Sequence, residues 1–221
     1  MMTGTLRQFA AISDAIRASS GKLEKTRLLG EFFRSLPDDD LYWAAVYFTG
    51  SAFARSSGKV VQVGFAALQA ATLAVTGATA EAFEAEYLRW SDVGDTVATL
   101  YGERDPGRNL SLSEIAGWFQ RLAETPAGTA KAVVVTQLFT ELNADEARYV
   151  AKILTGDLRI GLKEGLVEDA IAAAFAVKPA ELRKAHQLAG DIGRVATAAR
   201  AGTLESLQVQ LFSPVKPMLA T

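Results

Sequence analysis

Apolar residues recur at intervals of three and four along most of this chain, which is the spacing of one face of an α-helix. The alternation that marks a half-buried strand is almost absent, and the β-branched run Val133–Val135 stands inside a helical pattern. The pattern therefore predicts an all-α fold, a compact bundle of about twelve helices. These are predicted over Leu6–Ala18, Leu23–Leu36, Asp39–Phe48, Gly64–Val75, Ala80–Trp90, Val93–Tyr101, Leu112–Ala123, Thr129–Leu142, Asp145–Leu154, Leu166–Ala176, Ala180–Leu188 and Ile192–Ala201.

Short polar side chains stand where predicted helices begin. Pro37–Asp39 and Asn143–Asp145 supply oxygen acceptors for the free N–H groups of a helix N-terminus. Glycines fit the C-terminal stops of other helices, for example at Gly77 and Gly156. The segment Asp105–Asn109 is the one predicted linker, and it lies near the middle of the chain.

The two sides of that linker share a pattern. Leu36–Gly50 returns 106 residues later as Leu142–Gly156, with a cap, an aromatic residue, a small residue and then Thr-Gly. Ser91–Gly94 returns 99 residues later as Gly190–Gly193. Two matches in the same order indicate an internal duplication of a six-helix unit, with seven residues lost from the second copy between them. We expect repeat halves at about residues 1–105 and 110–205.

Composition places the chain among globular proteins, because 49% of its 221 residues are hydrophobic and 22% are charged. The chain has no cysteine, which excludes a disulfide framework and a thiolate metal site and suits a reducing cytoplasm. The most apolar stretch, Val60–Thr76, is interrupted by Gln62 and Gln69 and falls short of the roughly 20 residues that span a bilayer. The N-terminus lacks the apolar core of a signal peptide. We expect a soluble, cytoplasmic protein without a membrane partner.

No catalytic or metal-binding constellation is predicted. The single histidine, His186, has no paired carboxylate or cysteine in sequence, and such residues are usually structural or solvated. Asp38–Asp40 opens a predicted helix, where carboxylates are explained by capping and by the helix dipole. Neither a Walker-type loop nor a GxGxxG fingerprint is present, so the chain shows no nucleotide phosphate cradle of its own.

Three glycine-containing turns are candidate phosphate contacts. They are Asp92–Gly94, Asp191–Gly193 and Thr155–Lys163, and each places glycine close to a helix N-terminus with outward N–H groups. On spacing alone, ordinary helix caps explain them equally well. The charge distribution favours phosphate, since residues 148–200 carry nine basic residues against six acidic ones, whereas the whole chain has a net charge of −2. A basic face is predicted in the second half.

Leu154–Gly161 (LTGDLRIG), followed by the run Ala172–Phe175, resembles the N-terminal DNA-binding domain of ATP-dependent DNA ligases of the archaeal and eukaryotic replicative type. Ser91–Gly94 and Asp191–Ala196 resemble that domain's Gly-Asp-Leu-Gly turn, although Ser91 stands where glycine is usual. Pro214–Ala220 (PVKPMLA) resembles the start of the adenylation domain of these ligases. The resemblance runs from about residue 25 to the end, and it implies a helical DNA-binding domain over residues 1–213.

The resemblance implies a domain with two pseudo-symmetric halves that lies across the minor groove at a nick and grips phosphates and sugars without sequence specificity. Asp92 and Asp191 are expected to shape their turns. The first half is expected to make fewer charged contacts, because only Val63–Gly64 echoes the end of the LRIG motif there. Carried over by position, the DNA-binding residues are Gly94, Asp95, Thr96, Arg159, Ile160, Gly161, Lys163, Gly193 and Arg194.

The resemblance also implies a parent enzyme that uses ATP and Mg²⁺ to join 3′-hydroxyl and 5′-phosphate ends in DNA repair, replication or recombination. Its catalytic lysine lies in a Lys-x-Asp-Gly motif downstream of Pro-Met-Leu-Ala, and this sequence ends at Thr221 before such a motif. We therefore expect the chain alone to be inactive and without a cofactor. Its expected partners are double-stranded nicked DNA and the adenylation and OB-fold domains of the parent, with the chain itself a monomer.

Two other functions fit the residues less well. An α-helical repeat scaffold that binds a protein partner would expose an apolar groove rather than glycine turns beside arginine and lysine. A small enzyme in its own right would need a nucleophile with a base, or a phosphate loop, and the sequence shows neither.

Overall fold

The computed structural model describes residues 4–207, and this part of the chain contains twelve α-helices and no strand. It confirms the predicted all-α class, and most predicted helix ends lie within two residues of the observed ones. The predicted start of the adenylation domain, at residues 214–221, lies outside the described residues. The helices are α1 (Leu6–Ala18), α2 (Lys22–Ser35), α3 (Asp38–Tyr47), α4 (Phe65–Thr76), α5 (Ala80–Trp90), α6 (Val93–Tyr101), α7 (Leu112–Glu124), α8 (Thr129–Thr140), α9 (Ala144–Thr155), α10 (Glu164–Ala174), α11 (Pro179–Ala189) and α12 (Ile192–Ala201), with short 3₁₀ turns at Arg55–Ser57 and Leu204–Ser206.

Local capping explains where several helices begin and end. Thr5, Ser111 and Asn143 each form a capping box, in which the cap side chain and the third helical residue satisfy each other's backbone N–H groups. Gly156 and Gly190 end their helices in the left-handed conformation, which glycine adopts without steric cost. These interactions are local, and for that reason the sequence predicts the helix positions well.

Asp38–Asp40 occupies the first turn of α3, but its side chains do not cap that helix. The N-cap residue is Pro37, which has no side-chain cap. Asp40 is instead buried, where it accepts hydrogen bonds from the Gly4 backbone N–H and from the Ser113 hydroxyl, both at 2.7 Å. It thereby ties the start of α7 and the chain before α1 to α3.

The starts of α1 and α7 pair with each other. The Leu6 N–H donates to the Leu110 carbonyl at 2.8 Å, and the Leu112 N–H donates to the Gly4 carbonyl at 2.9 Å. The cap residues Thr5 and Ser111 face each other in this short antiparallel bridge and are 106 residues apart. The bridge therefore relates equivalent positions of the two sequence repeats by an approximate twofold axis.

Helix packing follows the same approximate symmetry, and the most extensive contacts run between the repeats. Helix α6 packs on α9 and α12 packs on α3; α2 packs on α10 and α8 packs on α4. The α6–α9 contact is equivalent to the α12–α3 contact, and α2–α10 is equivalent to α8–α4, because helices α1–α6 of the first repeat correspond to α7–α12 of the second. The halves of the sequence are therefore interlocked, and neither could bury its apolar faces alone.

The centre of the core is aromatic. Phe9 lies edge-on to Tyr47 and Tyr149, with ring centroids 6.2 and 6.1 Å apart, and it contacts Phe48 at 4.4 Å. All four side chains are almost completely buried. This core joins α1, the C-terminal end of α3 and α9. Within residues 4–207, no helix combines the length and the apolar character that crossing a bilayer requires.

Candidate nucleic-acid interface

The repeated Thr-Gly turns meet at the C-terminal ends of α3 and α9. Gly50 and Gly156 both have positive φ, +80° and +84°. A Cβ added to Gly50 would lie 3.1 Å from the Gly156 carbonyl oxygen, so the two turns are in direct contact. The turns mark the second end of the approximate twofold axis, and the loop that follows each turn starts from the same face of the molecule.

Each loop then crosses onto the Asp-apolar-Gly turn that precedes a helix of the other half. Arg159, after the second Thr-Gly turn, donates from Nη1 to the Ser91 carbonyl at 2.5 Å. After the first Thr-Gly turn, the Ser56 N–H donates to the Gly190 carbonyl at 3.2 Å. The structure thus brings all three turns singled out in the sequence onto one face, which we call the twofold face. It comprises residues 50–62, 91–94, 156–163 and 190–193.

The two loops differ by seven residues. From Gly50 to Val61 the chain includes a 3₁₀ turn, whereas Gly156 and Ile160 are separated by three residues only. A groove of about 540 Å³ lies between the longer loop and the C-terminal end of α9. The seven residues that the second copy is predicted to have lost are therefore missing from its loop between Gly156 and Ile160.

Gly94 and Gly193 lie inside close helix contacts. A Cβ on Gly94 would lie 2.6 Å from the Arg148 carbonyl oxygen, and one on Gly193 would lie 2.8 Å from the Tyr42 carbonyl oxygen. Both glycines are buried. Glycine is required here because the backbones of α6 and α9, and of α12 and α3, approach each other. Their predicted phosphate contacts stay predictions.

Asp95 and Thr96 belong to a polar network under the twofold face. The Asp95 carboxylate contacts Lys152 Nζ at 3.0 Å, Arg17 at 2.8 Å and Arg148 at 3.3 Å. Burial by itself raises the pKa of Asp95, but the bonds from Lys152 and Arg17 outweigh it and hold that pKa below its ordinary value. Thr96 is fully buried, and its hydroxyl donates to the Asp92 carbonyl. The acids on this side are therefore neutralised within the protein.

The second loop combines exposed cations with a buried anchor. Arg159 has a positive φ of 52°, and its side chain is 55% exposed while contacting Asp92 at 3.5 Å. Ile160 turns its side chain into the core. Gly161 is exposed with φ +67°, and Lys163 is exposed at the N-cap of α10. Arg194 is partly exposed in the first turn of α12, and its backbone N–H donates to the side chain of the N-cap residue Asp191 at 3.0 Å.

The described histidine and acidic side chains form no metal-binding group beside these loops. His186 is buried, with Nδ1 2.7 Å from a Glu168 carboxylate oxygen. Among residues 4–207, no three His, Cys, Asp or Glu side chains are grouped to hold a metal ion. What this face offers is exposed guanidinium, ammonium and backbone N–H groups, which are the donors that bind phosphate.

The family model described as DNA ligase N terminus matches residues 5–172 of the chain. The chain belongs to this family. The matched region contains both Thr-Gly turns and the whole second loop.

Relatives of the domain carry ligase names. "Probable DNA ligase" of Opitutus terrae is 34% identical over 97% of this chain and 24% of its own length. "Probable DNA ligase" of Koribacter versatilis is 34% identical over 98% of the chain and 38% of its length. "DNA ligase" of Methanothrix thermoacetophila is 32% identical over 99% of the chain and 41% of its length. The chain spans about a quarter to two fifths of these relatives. The family match does not support the repeat-scaffold alternative.

Sequence reasoning missed two buried lysines of this ligase domain that contact the loops. Lys25, on α2, donates to the Ile160 carbonyl, and Lys131, on α8, donates to the Val61 carbonyl. Their signal in the sequence is that they are 106 residues apart, as the two Thr-Gly turns are. They also show that the equivalent of Ile160 is Val61, so that Val63–Gly64 is not the first-half counterpart of the LRIG ending.

Proposed function

We propose that this chain is the DNA-binding domain of an ATP-dependent DNA ligase and grips the phosphates and sugars of nicked duplex along the minor groove. The observation that carries the proposal is the twofold face, where repeated loops and turns from both halves meet around an approximate twofold axis. The two strands of duplex DNA run antiparallel, so their backbones are also related by twofold axes. One half can then contact each strand with an equivalent loop.

The exposed groups of the twofold face suit phosphate better than base edges. Arg55 and Lys59 lie on the longer loop, and Arg159 and Lys163 on the shorter one, and all four side chains are exposed. The buried acids of the α6–α9 network are paired internally and so repel phosphate less. Contacts of this kind fix position on a duplex without reading its sequence.

The proposal assigns the remaining chemistry to the parent enzyme. ATP and a divalent cation serve nick sealing in DNA repair, replication or recombination, together with the adenylation and OB-fold domains. Within the described residues no cluster of side chains fits a divalent cation, and the sequence shows no nucleotide phosphate loop. The domain's own part is to hold and orient the duplex.

Fluorescence anisotropy of a nicked duplex, titrated with the chain at several salt concentrations, tests this proposal. We expect affinity to fall with salt at a slope that corresponds to roughly 3 to 6 neutralised phosphates. Arg159→Ala should weaken binding about tenfold and reduce the slope by about one contact, without a large loss of thermal stability.

Arg108→Ala is the matched control. Arg108 is equally exposed and pairs with Glu141, which precedes the N-terminal end of α9, whereas the twofold face lies at the other end of that helix. A helix of 12 residues separates the two sites by about 18 Å. Equal losses in both variants, or no binding by the unmodified chain at low salt, would contradict the proposal.

A further inference from the structure

Two buried ammonium groups lie directly behind the loops of the twofold face. Lys25 and Lys131 are 8% and 5% exposed, and they occupy equivalent positions on the second helix of each half. Lys25 Nζ donates to the carbonyls of Ile160 at 2.8 Å and Gly161 at 3.3 Å. Lys131 Nζ donates to the Val61 carbonyl at 2.5 Å.

Neither lysine has a carboxylate partner among the described residues, so backbone carbonyls of the loops satisfy both charges. A buried charge without a counter-ion is costly unless it is hydrogen-bonded or meets an anion. The loops also share their backbone shape, since Gln62 and Gly161, which follow the bonded carbonyls of Val61 and Ile160, have positive φ of 50° and 67°. The left-handed φ of Gly161 is a conformation that glycine adopts without steric cost, which favours glycine at this place in the LRIG motif.

The inward carbonyls determine where the neighbouring N–H groups point. In a trans peptide the C=O and N–H groups point in opposite directions. Because the Ile160 and Val61 carbonyls point at buried lysines, the N–H groups of Gly161 and Gln62 point away from them, and both residues are exposed. No hydrogen bond from either N–H is formed within residues 4–207. Outward N–H groups over a buried positive charge form an anion site.

We infer that Lys25 and Lys131 are positioning residues for two equivalent phosphate sites, at the N–H groups of Gly161 in the second half and Gln62 in the first. The inference rests on the proposed function and adds a first-half site that the LRIG motif does not mark. Each lysine, held on one half, shapes and charges the loop of the other half. Neither touches DNA itself.

The test uses Lys25→Met and Lys131→Met, which keep the length of the side chain and remove its charge. Anisotropy with the nicked duplex, at temperatures where each variant is folded, should show affinity about tenfold lower for each. The salt slope should stay unchanged, because no direct phosphate contact is lost, whereas Arg159→Ala lowers it by about one. Wild-type affinity in a folded variant, or a slope lowered by one, overturns the inference.

Chemical rescue separates the charge from mere packing. The chain has no cysteine, so Lys25→Cys can be alkylated in denaturant with bromoethylamine, which rebuilds a lysine-like amine, and then refolded. Recovery of affinity with bromoethylamine but not with neutral iodoacetamide is expected, and equal recovery with both contradicts the role of the charge.

If a lysine variant fails to fold, NMR of the unmodified chain tests the two phosphate sites instead. The backbone amide resonances of Gly161 and Gln62 should both shift on adding the nicked duplex, and a Gln62 resonance that stays in place overturns the first-half site. Failure of the unmodified chain to bind duplex defeats the proposed function itself, whereas binding with unaffected lysine variants defeats only this inference.

Discussion

The α6–α9 and α3–α12 contacts are two solutions to one packing problem. In both, a glycine in the first turn of one helix lies against a backbone carbonyl of the other, Gly94 against Arg148 and Gly193 against Tyr42. In both, the preceding aspartate caps its helix through Oδ1. The geometry of the close approach is therefore the same in the two halves.

The partner of the second carboxylate oxygen differs. Asp92 Oδ2 contacts the buried ammonium of Lys152 at 2.7 Å, whereas Asp191 Oδ2 accepts the Tyr42 hydroxyl at 3.1 Å. Val46 stands in the repeat where Lys152 stands, and it is fully buried. The close approach of the two backbones therefore requires glycine in both halves. The charge of the residue that contacts the aspartate, by contrast, differs between the two halves.

Removing the buried cation should have the largest effect. Lys152→Met removes the buried ammonium 2.7 Å from Asp92 and leaves that carboxylate only the exposed Arg159 guanidinium at 3.5 Å. Breaking a buried ion pair in this way typically lowers the free energy of unfolding by about 3 to 5 kcal/mol. Urea unfolding measures the loss. Combining Lys152→Met with Asp92→Asn and Asp95→Asn removes the buried cation together with the two carboxylates that contact it, and it should recover part of the loss because neither carboxylate is left without the lysine. A triple variant less stable than the single one would contradict this account.

The two glycines should respond alike despite their different surroundings. Gly94→Ala and Gly193→Ala each place a Cβ against backbone, which cannot move aside as a flexible side chain can, and each should cost about 3 kcal/mol. Gly117→Ala, in the middle of α7 with open space around it, is the control and should stabilise by about 0.5 to 1 kcal/mol. Thermal and urea unfolding would reveal an unequal response, which would mean that one contact relaxes.

The helices and the repeat could be predicted from sequence because their signals are local. Helical periodicity, capping residues such as Ser111 and the Thr-Gly stops act within a few residues, and they placed the twelve helices of the described region. The exchange of helices between the halves could not be predicted, because which apolar faces pair depends on contacts between residues far apart in sequence. Examples are Lys152 with Asp95, 57 residues apart, and Lys25 with Ile160, 135 residues apart.

In the candidate site, too, local features could be predicted from the sequence and tertiary contacts could not. The turns at Asp92 and Asp191 could be found from their repeated spacing, but the sequence could not tell a glycine required by a helix contact from one required by a ligand. The loop that differs by seven residues also obscured the equivalence of Val61 with Ile160, since no residue identity marks it. Only the lysine contacts, which depend on tertiary structure, align the two loops.

The smallest of these effects is expected from the titration of Asp95 in the α6–α9 contact. The pKa of Asp95 is lower in the folded protein than in the unfolded chain, where aspartate titrates near about 3.9. The stability that its ion pairs supply is therefore complete above that value and is lost as pH falls through the folded pKa. Arg194 stands at the equivalent place in α12, so the α3–α12 contact has no carboxylate there.

Urea unfolding of the unmodified chain and of Asp95→Asn, from neutral pH down to about pH 2.5, measures this contribution. The variant should be less stable at neutral pH, and the two curves should converge below about pH 4, because protonation removes from the unmodified chain the charge that the variant lacks. Asp39→Asn, at an exposed position on α3, is the control and should give a curve parallel to that of the unmodified chain. A difference for Asp95→Asn that stays constant across the whole range would mean that its carboxylate acts through shape and hydrogen bonding, and the contrast with the α3–α12 contact would then not be one of charge.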